Sequence, residues 1–319
     1  MSKIWLKTPF LTRSLCVRGG DEFSLLVQST FAENVARARN GGGSEPLRPI
    51  LTFSNHVSTL DDPLMWGSLP FSLTADNRLA RWTPAAHELC FNTPIRAFFF
   101  GGGQCIPTVR GGGIWQPGMD TTLEKMKMGA WVHIFPEGRV NQHPSLARFK
   151  WGVGRLLLES LPLNPIVVPI FTRGTEQVLP LDPATNNSYM YPRRGQDILV
   201  AFGEQISGAS ISDMAERLIR EQKPPGTKSE HGPTYDTLGQ LEYFPRAPLS
   251  PPPPSESPHY NPHDTKEARL RRSSVADVLR HVLRDLGKEA EVWWDGELRR
   301  RGAWPRIKAD VWKRRVDEG

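Results

Sequence analysis

The chain has 319 residues, of which 38% are hydrophobic and 23% charged, and a net charge of +6. That length allows one large domain, or one domain with a tail, and the positive balance favours acidic partners: anionic lipid head groups, phosphate esters or nucleic acid. Three cysteines, Cys16, Cys90 and Cys105, argue against a disulfide framework or a zinc site, and no apolar run approaches the roughly 18 residues of a membrane span, so any membrane contact is from one face.

Residues 1–48 open with Lys3, Lys7, Arg13 and Arg18 and have no acid before Asp21. Ile4, Trp5, Leu6, Phe10, Leu11 and Leu15 are interleaved with these bases. The pattern suits an organelle transit segment or an interfacial anchor, and equally a ragged terminus. From 49 to 222, apolar runs alternate with helical patterns. Runs at 50–53, 95–100, 131–135, 166–171 and 198–202 predict buried strands, and 119–128 and 151–161 predict helices. The alternation predicts an α/β domain, with helices covering a mixed or parallel sheet. Residues 223–263 contain four consecutive prolines at 251–254 and read as an extended linker. Residues 264–319 form a basic tail. Val275, Val278, Leu279, Val282, Leu283 and Leu286 share one helical face there, Ser274 and Asp277 have capping-box spacing, and Gly287 stands where the helix should stop. Trp293, Trp294, Trp304 and Trp312 lie among its bases. The tail is expected either to bind anionic membranes or to pack on the domain.

The pattern His-x-x-x-x-Asp occurs three times: His56 with Asp61, His231 with Asp236, and His259 with Asp264. The last two fall in or at the edge of the Pro-rich stretch, where no core can hold a base. The first lies in SNHVSTLDDPLMW, between a predicted strand and a predicted helix, where function concentrates. Five residues along a regular helix put side chains about 140° apart, so the pair cannot meet inside one. Asp62 and Pro63 read as N-cap and first helical residue, which leaves His56 and Asp61 in the preceding turn. His can take the proton of an alcohol at neutral pH, and a carboxylate on its other nitrogen fixes the tautomer.

Two further blocks place a guanidinium just past a strand: GQCIPTVRGGG with Arg110, and FPEGR with Arg139. Arg suits a phosphodiester through its two parallel donors. Glu137 is expected to orient Arg110 or bind a glycerol hydroxyl, and Gly138 to let backbone approach a ligand. His133, inside a strand pattern, reads as a core histidine.

In order, the His-x4-Asp turn, the block ending at Arg110, the FPEG block and NPIVVPIF resemble the four blocks of the glycerolipid acyltransferase superfamily. SNHVSTLDDPLMWG, RWTPAAHELCF, GGGQCIPTVRGGGIWQPGMD, WVHIFPEGRVN, RFKWGVGRLLLE and NPIVVPI are similar to its phospholipid–lysophospholipid transacylases, over about residues 49–205. The resemblance implies that superfamily's α/β fold and CoA-independent acyl exchange between a phospholipid and a lysophospholipid. Cardiolipin, monolysocardiolipin and phosphatidylcholine are the implied lipids. It also implies His56 and Asp61 as the catalytic pair, Arg110, Glu137, Gly138 and Arg139 at the substrate, no metal or cofactor, and no nucleic acid. Peripheral attachment to a mitochondrial membrane facing the intermembrane space follows from it. Arg139 stands where the family pattern has Lys, which retains the charge. An acyl-CoA-dependent lysophospholipid or glycerol-phosphate acyltransferase shares the same motifs. A non-catalytic lipid-binding scaffold is disfavoured by the intact His56–Asp61 pair.

Overall fold

The computed structural model describes residues 12–39, 46–143, 145–182, 188–189, 191–221 and 264–302. The described chain starts with β1 (Thr12–Arg18) and α1 (Gly20–Arg39), then β2 (Ile50–Ser54) and the short helices α2 (Asp61–Gly67) and α3 (Phe71–Thr74). A small lobe follows: β3 (Thr83–Ala86), α4 (His87–Cys90), α5 (Pro94–Gly102) and β4 (Cys105–Thr108). The chain continues through α6 (Pro117–Lys127), β5 (Trp131–Ile134), α7 (Trp151–Ser160), β6 (Ile166–Arg173), α8 (Thr175–Val178), β7 (Gln196–Phe202), β8 (Ile206–Ser207) and α9 (Gly208–Glu221). It ends in the long helix α10 (Lys266–Arg300).

The main sheet has the order β1-β7-β6-β2-β5, with β8 beside β6. Its pairings are parallel except β6 with β7 and β6 with β8. This is the mixed, parallel-rich α/β sheet expected. Both of its faces are covered, which is why the central strands read as continuous apolar runs rather than alternating ones. Side chains still alternate by face. Leu51, Phe53, Val167 and Leu199 enter one core with α6, α7, α9 and α10, while Ile50, Val168, Ile170 and Val200 enter another with α1, α2 and α3. β3 and β4 form a separate two-stranded parallel sheet.

Four sequence expectations are corrected. The run at 95–100 is not a buried strand but the helix α5. Thr93 caps it, accepting from Arg96 N at 3.3 Å, and Pro94 supplies a first-turn residue with φ already helical. Next, the boundary at 48 does not separate an anchor from the domain. β1 forms the sheet edge beside β7, and Ser14 Oγ donates to Asp197 at 2.7 Å. Third, α2 begins at Asp61, two residues before Pro63, with Leu60 in the N-cap position.

Fourth, the tail helix neither starts at Ser274 nor stops at Gly287. Thr265 caps it, accepting from Ala268 N at 3.1 Å, and it runs unbroken to Arg300. Gly287 is there because a Cβ would meet the Phe171 ring at 2.8 Å. Gly154 on α7 does the same service, since a Cβ there would lie 2.3 Å from the Arg272 carbonyl. The face of Val275, Leu279 and Leu283 is fully buried in the core, and Trp294 and Leu298 extend it. So the described part of the tail packs on the domain. The Pro-rich stretch at 223–263, Trp304 and Trp312 lie outside the described residues.

Candidate active site

β2 delivers the chain to the site. Asn55 anchors its end, donating to Thr172 O and accepting from Thr172 N, both at 2.9 Å. His56 to Leu60 then form a turn closed by Asp61 N donating to Ser58 O at 3.1 Å. The fully buried Asp61 folds back into this turn: Oδ2 accepts from Val57 N at 2.7 Å and from Ser58 N at 2.8 Å. The same oxygen lies 3.0 Å from His56 Nδ1. Oδ1 accepts from Thr175 Oγ1 at 2.5 Å. A carboxylate can only accept, so it fixes the proton on Nδ1 and leaves the lone pair of the neutral ring on Nε2. The imidazole stacks on Phe135 at 4.2 Å between centroids, and the His56 side chain stays one-fifth exposed. The arrangement has the geometry that a general base with an orienting acid behind it requires.

The FPEG loop clamps the turn from its other side. Glu137, also buried, accepts from His56 N at 3.0 Å, from Asn141 Nδ2 at 2.7 Å and from Ala147 N at 2.9 Å. Burial pushes its carboxyl up, and these donors act against that. Asn141 N returns a bond to His56 O at 2.6 Å, and Gln142 Nε2 donates to Val57 O at 2.9 Å. Glu137 therefore positions the backbone of His56. It does not orient Arg110, whose Nε lies 3.2 Å from Glu88 Oε1. Gly138, at φ 69°, makes the tight turn after Glu137, donating to Phe135 O at 3.0 Å, and Arg139 beside it is exposed.

Arg110 sits half exposed in the turn between β4 and α6. Gln116 staples that turn: its Oε1 accepts from Val109 N at 2.7 Å, and its Nε2 donates to Gly113 O at 2.6 Å. Arg110 and Asp62 both act electrostatically on the Cys90 thiol, which burial pushes up. Asp62 itself accepts from Trp66 Nε1 at 2.7 Å and pairs with Arg81. His133 is a fully buried core histidine, held by Thr52 Oγ1 at 2.9 Å and Ser54 Oγ at 3.3 Å, and its burial drives its pKa well down. Among the described residues no cluster of His, Cys, Asp and Glu has the make-up of a metal site.

Thr175 and Arg81 had no signal in the sequence, because each acts on a partner brought near only by the fold, whereas Asn141 and Gln116 bond within their own loops but belong to no catalytic pattern. Thr175 is the sharpest case. Thr175→Val keeps its volume and removes the donor to Asp61. A bond to a charged acceptor contributes about 1.5–3 kcal/mol, so acyl transfer is expected to fall roughly tenfold or more. Thr175→Ser should restore it. Initial rates beside thermal unfolding decide the matter: a loss that merely tracks unfolding would make Thr175 structural.

Residues 27–173 match the family model described as Acyltransferase. The chain is 39% identical over 196 residues to the N-acylphosphatidylethanolamine synthase of Arabidopsis thaliana, covering 60% of this chain and 68% of that protein. It is 38% identical over 174 residues to tafazzin of Drosophila melanogaster, covering 54% of this chain and 44% of that one. Against tafazzin of Saccharomyces cerevisiae it is 29% identical over 309 residues, or 85% and 72% of the two chains. The fold, the four motif blocks and these likenesses agree, and the chain belongs to the acyltransferase family that includes the tafazzins.

Proposed function

We propose that this acyltransferase moves fatty acyl chains between glycerophospholipids at a membrane surface without coenzyme A, remodelling cardiolipin. The observation that carries the mechanism is the His56 Nδ1 contact with Asp61 Oδ2 at 3.0 Å, with Asp61 fully buried. His56 Nε2 takes the proton of the acceptor lysophospholipid hydroxyl. The freed oxygen attacks the ester carbonyl of the donor. The tetrahedral intermediate collapses, the donor's own glycerol oxygen leaves, and the imidazolium returns the proton to it. Asp61 stabilises the imidazolium in between. Arg110 and Arg139 are assigned to the phosphates of the two lipids, as exposed guanidinium groups on the loops beside the turn. The inferred place of work is the mitochondrial membrane, facing the intermembrane space, with peripheral attachment. No described helix is long and apolar enough to cross a membrane.

The Arabidopsis relative favours a second reading in which the acceptor is the amine of a phosphatidylethanolamine, deprotonated by the same nitrogen. One assay separates them: acyl-labelled phosphatidylcholine is mixed with monolysocardiolipin or with phosphatidylethanolamine, without CoA. Label in cardiolipin is expected. Label on the phosphatidylethanolamine nitrogen alone would favour the amine acceptor, and transfer only from added acyl-CoA would overturn the phospholipid donor.

A further inference from the structure

α5 buries none of its residues, yet its sequence PIRAFFFGG carries one charged side chain. Ile95 is 71% exposed, Phe98 77% and Phe99 68%. Leu89 at α4 and Val109 just after β4 are exposed too, and α4, α5 and β4 pack on one another. The small lobe thus gathers large apolar side chains in water, where a soluble protein rarely leaves such a patch uncovered. Two bases accompany the patch. Arg96 Nη1 donates to Leu89 O at 3.1 Å, and Arg110 lies beside Glu88. The lobe is also tied to the catalytic turn. Arg81 Nη1 donates to the carbonyl of Gly103, the residue that ends α5, at 3.0 Å. Its Nη2 pairs with Asp62, next to Asp61.

We infer that α5 is the element that enters the membrane: Ile95, Phe98 and Phe99 lie among the acyl chains of a glycerophospholipid bilayer, with Arg96 and Arg110 at head-group level. The inference rests on the lipid-acyltransferase reading above. Nine helical residues span about 13 Å, too short to cross a bilayer and suited to lying in its interface. Phosphates match the two guanidinium groups, whereas a second copy of the same lobe would set like charges against each other. Through Arg81, insertion holds the His56–Asp61 turn against the surface where both substrates have their ester groups.

The test is flotation of the full chain with phosphatidylcholine vesicles, with and without cardiolipin, at low and high salt. Phe98→Ser/Phe99→Ser is compared with wild type and with Leu25→Ser, which alters an exposed apolar side chain on α1. The double variant is expected to keep the wild-type thermal midpoint and to lose vesicle partition by about 10²-fold, including at high salt, where head-group attraction is screened. Leu25→Ser should float like wild type. Undiminished flotation of the double variant would overturn the inference. So would a wild-type dimer that the double variant converts to monomer, because the patch would then close on a second copy. Absence of acyl transfer by wild type on detergent-dispersed lipid would instead remove the functional reading, and flotation would still decide insertion.

Discussion

His56→Ala is expected to lower acyl transfer by about 10²–10⁴-fold while leaving the protein folded. The bonds that hold the turn run through the backbone of residue 56, to Glu137 and from Asn141, and alanine keeps both. Asp61 also keeps its donors from Val57, Ser58 and Thr175, so no buried charge is stranded. Only the Phe135 stacking and the base itself are lost. Asp61→Ala is a poorer probe. It would leave two buried backbone N–H groups and the Thr175 hydroxyl without an acceptor, at about 1–3 kcal/mol each, and the fold would suffer with the chemistry. Asp61→Asn preserves an acceptor in the turn and removes the charge, and is the cleaner companion. Rates normalised to folded protein, read beside thermal unfolding, provide the check. A folded His56→Ala protein with near wild-type turnover would eliminate His56 as the base.

The second large effect lies far from the chemistry. A chain ending at Arg246 is expected not to fold. It would lack Val275, Val278, Leu279, Leu283, Trp294 and Leu298, all buried in the core shared with α7 and β6. At about 1.5–3 kcal/mol for each large side chain, their burial is on the order of 10 kcal/mol, comparable to the whole stability of a domain. A milder version is Leu283→Ala, expected to cost about 2–5 kcal/mol by denaturant unfolding. Soluble, cooperatively unfolding and active protein ending at Arg246 would show α10 to be an accessory rather than part of the core.

How far the sequence reveals these features depends on how local their causes are. β2, β5, β6 and β7 are readable because strands buried on both faces are mostly apolar along their length. β1 is not, since TRSLCVR owes its place to pairing with a strand some 180 positions away. The His56–Asp61 turn is readable because both partners lie within five residues. Thr175 is not, because its 114-residue separation from Asp61 is closed only by the β2–β6 pairing. α5 departs from its sequence expectation for a different reason. A hydrophobic run signals that apolar surface must leave water, and by itself says nothing of whether protein or lipid receives it. Gly287 shows the same limit in small form. A glycine reads as a helix stop, but here it admits the Phe171 ring against a continuing helix.

The seam between the beginning and the end of the described chain has a consequence for biogenesis. β1 takes its register from β7, and α10 seals the core over β6 only after the whole segment that separates it from α9. During synthesis, then, β2, β5 and β6 can exist for many seconds with one apolar face still waiting for its cover. Such contacts close large loops before they gain any burial, so folding is slow, and the waiting intermediate exposes strand edges and sticky surface. Holding chaperones should therefore matter more for the yield of this enzyme than for proteins whose neighbours in sequence are also neighbours in space.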